Sequence, residues 1–172
     1  TGTQLDQTRR NCGITTVIAT GVSLNIGVIG VEARGADNLD GVASENIVAL
    51  CDIDSDRLAM AAKKHPNAKT YADYRHVFDH KELDALVVST PDHMHAPIAV
   101  SAMQLGKHVY GQKPLAHDVH EVRAMMKAAR KHRVVTQMGI QVHSSYEYRA
   151  AVQLVQSGAV GKIKEVHTWS SK

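Results

Sequence analysis

Residues 24–52 read LNIGVIGVEARGADNLDGVASENIVALCD. The first six are a short apolar, β-branched run, the composition of a strand buried on both faces. Gly30 ends that run where the chain must turn tightly, and Gly35 follows five residues later, where a helix would pack on the strand. Residues 47–51 form a second apolar run, with Asp52 at its C-terminal end. Strand, glycine turn, helix, strand and acid is the layout of a dinucleotide-binding βαβ unit. In such a unit the pyrophosphate sits on the helix N-terminus and the acid takes the adenosine ribose hydroxyls. Asp52 lies 22 residues after Gly30, close to the usual offset of about 20.

One residue departs from this fingerprint. A glycine is expected two residues after Gly30, so that the backbone can approach the phosphates, and Glu32 stands there. Its carboxylate adds bulk and negative charge, against which the helix dipole sets only about half a positive charge. Arg34 is the nearby cation available to offset part of it. On this stretch alone, a βα turn that binds nothing stays open as the plain alternative.

The 172 residues suffice for one domain with a core and the start of another. The net charge of +3 is small, and Lys and Arg are spread along the chain. That argues against nucleic acid as the main partner. Cys12 and Cys51 are too few for a disulfide framework, and no zinc-type cysteine spacing is present. Cys51, inside an apolar strand, reads as an inert buried thiol. No apolar run reaches the roughly 18 continuous residues of a membrane span.

Residues 1–23 read as a tail outside the core. Thr8-Arg9-Arg10-Asn11 precedes a mildly apolar stretch over 14–22 and resembles a decayed twin-arginine export signal. Cys12 and Gly13 replace the apolar residues expected just after the arginines. The location is read as cytoplasmic, with twin-arginine export to the periplasm as the alternative.

After the first βαβ unit, the alternation of strand and helix continues. A helix over 55–64 is capped by Asp54 or Ser55 and stopped by Pro66. A strand over 69–71 follows, then a helix opened by Asp73 with Val77 and Phe78 inward. Strands over 83–89, 108–110 and 134–138 alternate with helices over 97–105 and 118–132, the last opened by a capping box at Asp118 and Glu121. This alternation means a mostly parallel, doubly wound sheet. Met60, Met103, Met125 and Met126 read as packing residues of these helices. Residues 145–156 form a further helix with Ala150, Ala151, Leu154 and Val155 on one face. Residues 163–169 alternate like a half-buried strand of a second sheet.

In open parallel sheets, ligands lie beyond the carboxyl ends of the strands. Three further strand ends carry candidate chemistry: residues 89–95, 111–114 and 136–139, with His143 beyond the last. Lys113 stands out among them. A lysine at the crevice can donate to a substrate hydroxyl or carbonyl and stabilise developing negative charge; a solvated surface lysine is its plain alternative. His93 and His95 invite a metal reading, but no third ligand of suitable spacing accompanies them. His117, His120 and His132 read as helix capping or decoration, and no metal site is assigned.

Val88-Ser-Thr-Pro-Asp-His-Met-His95, Gly106-Lys-His-Val-Tyr-Gly-Gln-Lys-Pro-Leu115 and Thr136-Gln-Met-Gly139 resemble the glucose–fructose oxidoreductase, inositol dehydrogenase and MocA (Gfo/Idh/MocA) family over most of residues 24–172. The resemblance implies a Rossmann domain for NAD or NADP, then a larger α/β domain with an open sheet that holds the substrate. It implies hydride transfer with sugars or cyclitols, and some relatives use bound NAD to cleave glycosides. By position, Gly30, Val31, Arg34 and Gly35 would line the pyrophosphate and Asp52 the adenosine ribose. Ser89, Thr90, Pro91 and His95 would lie near the nicotinamide ribose. Gln112 and Lys113 stand in the family's Glu-Lys-Pro motif, whose lysine reaches substrate and nicotinamide. Gln112 keeps an acceptor but loses the glutamate's charge. The family's second-domain catalytic residues, usually including a histidine acid/base, have no counterpart in this chain.

The expected fold is α/β: a doubly wound parallel-sheet Rossmann domain over 24–137, with only the start of a second α/β domain over 138–172. The chain is read as a fragment or truncated product that binds dinucleotide with little or no turnover. NAD is favoured over NADP because Asp52 would repel a 2′-phosphate. A sugar-like small molecule is the expected substrate of the full-length family, and an oligomer is compatible with it. The alternatives are a non-catalytic nucleotide-binding module, an NAD-dependent glycosidase relative and an S-adenosylmethionine methyltransferase. The Gln-Lys-Pro and Thr-Pro stretches argue against the last.

Overall fold

Strand β1 (Asn25–Ile29) lies inside a six-stranded sheet of order β3-β2-β1-β4-β5-β6. The computed structural model describes residues 23–169, so the expected signal or tail over 1–23 lies, but for Ser23, outside the described residues. The other strands are β2 (Asn46–Cys51), β3 (Lys69–Tyr71), β4 (Ala85–Val88), β5 (His108–Gln112) and β6 (Thr136–Gly139). All five pairings are parallel. This is a doubly wound parallel sheet, the class that the alternating pattern predicts.

Side chains alternate between the two faces of the sheet, so consecutive residues enter separate cores. Leu50, Val87 and Tyr110 pack on one face with Leu39 of α1 (Arg34–Gly41) and Ala61 of α2 (Ser55–Lys64). Cys51, Val88 and Val109 pack on the other with Met103 of α3 (His95–Gln104) and Met125 of α4 (Val119–His132). Leu50, Leu86 and Val88 are fully buried; truncating such a leucine to alanine costs about 2–5 kcal/mol.

Caps set several of the boundaries. Asp54, not Ser55, caps α2, accepting from the amides of Asp56 and Arg57. Asp73 opens a turn of 3-10 helix (Tyr74–Asp79) in place of the expected α-helix, with Val77 buried and Phe78 packed beside it. Asp118 accepts from the Glu121 amide, and the Glu121 carboxylate accepts from the His117 amide. The capping box therefore closes one residue earlier than its usual partner. Helix α3 begins at His95 rather than 97, and β5 runs on through Gly111 to Gln112.

Beyond β6 the expectations are partly overturned. A short helix α5 (Gln141–Ser144) precedes α6 (Tyr146–Gln156), and no α6 residue is buried. Leu154 and Val155, expected inward, are exposed. Residues 163–169 form no strand among the described residues, and Trp169 is 86% exposed. Alternation alone makes no strand, because the ladder's donors and acceptors need a partner. Met103 and Met125 are packed as expected, whereas Met60 and Met126 face solvent.

Candidate functional site

The sheet order reverses between β1 and β4, since β2 lies on one side of β1 and β4 on the other. Ile29 pairs with Cys51 and with Val88, and Val88 pairs with Gly111. The next residue along each strand therefore falls in one row: Asp52, Gly30, Ser89 and Gln112. These are the positions singled out from the sequence, and the topology brings them to one sheet edge at the switch point.

Two glycines allow the close approach at its centre. Gly30 has φ +83°, and a Cβ there would lie 2.6 Å from the Ser89 carbonyl oxygen. A Cβ on Gly35 would overlap the Gly30 carbonyl, so α1 packs against the end of β1 only without a side chain. Between them, Ala33 is held at φ 50°, ψ −116°, a conformation that favours glycine. Helix α1 has no side-chain N-cap. Among the described residues, no protein acceptor is bonded to the amides of Glu32 and Ala33 just ahead of it. Such a turn presents N–H groups and a positive helix end to an anion.

Asp52 faces this turn. Its Oδ2 accepts the Val31 amide at 3.0 Å and its Oδ1 the Asp54 amide at 3.0 Å. The acid thus holds the glycine turn, and each oxygen keeps a lone pair for a further donor. The Val31 amide, in turn, is already committed to Asp52.

Glu32 is not offset by Arg34, which pairs with Asp37 at 2.6 Å. Its partner is Arg57 on α2, whose Nε also lies 3.1 Å from Asp54 Oδ2. Sequence reasoning missed Arg57. The available signal was a cation three residues past the cap Asp54, one helical turn beyond the strand that carries Asp52. Asn38 was missed as well. It is buried on α1 and donates to Ser89 Oγ at 2.8 Å, tying the helix to the end of β4.

At the other end of the row, buried polar atoms are left over. Among the described residues, Thr90 Oγ1 and both amide atoms of Gln112 have no partner, although Gln112 is only 5% exposed. Buried polar groups are otherwise almost always bonded. These orphans stand at the ends of adjacent strands, where a ribose or carboxamide would supply the missing donors and acceptors. The residues present therefore fit a dinucleotide. Lys113, one residue further, is exposed. His95 is buried and bonded through both ring nitrogens. His93 is exposed, and among the described residues no three histidine, cysteine or acidic groups converge as metal ligands.

Burial, and behind it the charges of Asp52 and Asp73, pushes the Cys51 thiol up to about 12. It is the inert buried thiol expected from its strand.

A parallel sheet of this order, with a glycine turn and an acid at its switch point, is a Rossmann nucleotide-binding unit. The model of the Gfo/Idh/MocA oxidoreductase family, NAD-binding Rossmann fold, matches residues 24–140, and the chain belongs to this family. The inositol 2-dehydrogenase of Salmonella typhimurium is 28% identical over 152 residues, covering 85% of this chain and 45% of that protein. The crystal structure of myo-inositol 2-dehydrogenase from Lactobacillus plantarum superposes with a TM-score of 0.76 at 29% identity, covering 82% of this chain and 43% of that one. That of scyllo-inositol dehydrogenase from Lactobacillus casei, with bound NAD(H) and scyllo-inositol, superposes with a TM-score of 0.75 at 24% identity, covering 81% of this chain and 42% of the other. This last likeness bears on the fold. The chain spans about half the length of the curated relatives it matches. Among the described residues, no helix is long and apolar enough to cross a membrane.

Proposed function

We propose that this chain binds a nicotinamide dinucleotide along the row from Asp52 to Gln112, with NAD preferred over NADP. The observation that carries the reading is the set of orphaned buried atoms, Thr90 Oγ1 and the Gln112 amide, beside a glycine turn and an acid. Gly30, Val31, Arg34 and Gly35 would form the pyrophosphate end, Asp52 the adenosine ribose end, and Ser89, Thr90, Pro91 and Gln112 the nicotinamide ribose end. Asp52 favours two free ribose hydroxyls over a 2′-phosphate, because two anions would face each other there.

The bound nicotinamide supplies the hydride acceptor or donor. The substrate class would be a sugar or cyclitol hydroxyl, a reading supported by the likeness to inositol dehydrogenases. Lys113 would donate from Nζ to the substrate oxygen and stabilise its developing charge. Removing a proton from an alcohol also needs a base within hydrogen-bond reach. Residues 138–172 would begin the substrate domain. The location we favour is the cytoplasm, with export guided by the Thr8-Arg9-Arg10 segment as the second reading.

Asp52→Ala tests the assignment. NADH affinity should fall about tenfold relative to NADPH affinity, the equivalent of roughly 1.4 kcal/mol, so that the preference disappears. An unchanged ratio of the two affinities would remove Asp52 from the ribose site.

A further inference from the structure

His95 opens α3 and is 2% exposed. Its Nδ1 lies 2.7 Å from the Pro114 carbonyl oxygen and its Nε2 lies 2.7 Å from the Thr90 carbonyl oxygen. A carbonyl oxygen can only accept, so each ring nitrogen must donate. A neutral imidazole carries one N–H; only the imidazolium carries two. A neutral ring would set a nitrogen lone pair against a carbonyl lone pair at 2.7 Å, in a place from which water is excluded.

The two carbonyls belong to different loops. Thr90 lies just past β4 and carries the orphaned hydroxyl. Pro114 follows Lys113 just past β5. His95 therefore bridges the loops that follow two adjacent strands, and the backbone it grips is next to Lys113. We propose that His95 is a positioning residue which, as the doubly protonated imidazolium, clamps the loop after β4 to the loop after β5. It thereby sets where Lys113 and the Thr90 hydroxyl stand relative to one another.

The positive end of α3 opposes a cation at this position. Against it stand two hydrogen bonds from a charged donor, each about twice as strong as a neutral one. Among the described residues no carboxylate pairs with His95, so the two carbonyl dipoles bear the charge. The clamp's role in hydride transfer rests on the reading of the crevice as a dinucleotide site; its protonation and geometry do not.

The test is long-range proton–nitrogen NMR on the chain labelled at histidine nitrogen, in neutral buffer, with the His95 signals assigned by their loss in His95→Gln. Both ring nitrogens should carry hydrogens. A ring with one unprotonated nitrogen overturns the proposal. Glutamine offers donors from one atom only and can hold one carbonyl, so His95→Gln should also lower the backbone amide order parameters of Lys113, Leu115 and Ala116 while those over 47–51 stay unchanged. Unchanged order parameters at all three contradict the clamp. If the variant fails to fold, the NMR signature of the unaltered chain, assigned by selective labelling, decides alone. Loss of NADH binding by the unaltered chain with a doubly protonated His95 would refute the dinucleotide reading and leave the clamp standing.

Discussion

Arg57, on the first turn of α2, is ion-paired with Glu32, in the turn between β1 and α1. The carboxylate that stands in place of the fingerprint's middle glycine is thus drawn toward α2, where Arg57 also meets Asp54. The obstacle at the phosphate turn is a partly neutralised one. Both side chains are about half exposed, and such pairs contribute only about 0–1 kcal/mol to stability. On the proposed dinucleotide reading, their weight falls on ligand binding instead.

Glu32→Gly should therefore tighten NADH binding about tenfold, roughly 1.4 kcal/mol, by removing a charge and leaving Arg57 beside the phosphates. Arg57→Ala should weaken it, because Glu32 is then unpaired. Calorimetric titration of the two variants checks the pair. An unchanged Glu32→Gly would mean that this turn does not meet the phosphates.

Gln112→Leu separates a ligand role from a packing role. The amide makes no bond within the described protein, so its replacement by an apolar group of similar size removes an uncompensated polar group, which costs about 1–3 kcal/mol when buried. Urea unfolding should show equal or higher stability, while NADH affinity falls at least several-fold. A destabilised variant with unaltered NADH affinity would show that the amide serves the fold.

Ala33 sits at positive φ, where a non-glycine residue costs on the order of 1–3 kcal/mol. Glycine relieves that strain but adds about 0.4–1 kcal/mol of unfolded-state entropy. Ala33→Gly should raise the unfolding free energy by about 1 kcal/mol, read from the urea midpoint at unchanged slope. A drop in stability would mean that the turn is unstrained.

The Cys51 thiol is held protonated to about 12 in the folded chain, against an ordinary value of 9.0. Below the ordinary value both states keep the proton and the thiol's contribution is fully present. As the pH rises between these two values, only the unfolded chain releases the proton, so stability falls. In a Cys12→Ser background, alkylation of Cys51 should follow global unfolding and stay slow in native buffer. Rapid labelling of the folded chain would contradict its burial.

Much of this was legible in the residues because the signals were local. Apolar runs ended by Gly30 and Asp52, the cap at Asp54 and the Gln112-Lys113-Pro114 segment each act within a few residues, and the parallel, doubly wound class of the sheet follows from strand–helix alternation. What escaped depends on tertiary approach. Glu32 and Arg57 meet only because β1 pairs with β2. Asn38 finds Ser89 across 51 residues, and on the sequence alone it is one more polar residue of a helix. His95 is expected near the nicotinamide ribose, and only the fold shows its ring nitrogens bonded to two backbone carbonyls. The alternation over 163–169 differs for the opposite reason: the pattern is present, and among the described residues no strand pairs with it.

The most direct test is titration of the purified, unaltered chain with NADH and NADPH, followed by nucleotide fluorescence and calorimetry. Saturable binding of one NADH per chain, with NADPH at least tenfold weaker, is the result expected from Asp52 at the ribose and the Thr90 and Gln112 orphans at the far end. Absence of saturable binding, or NADPH bound as tightly as NADH, would contradict the account.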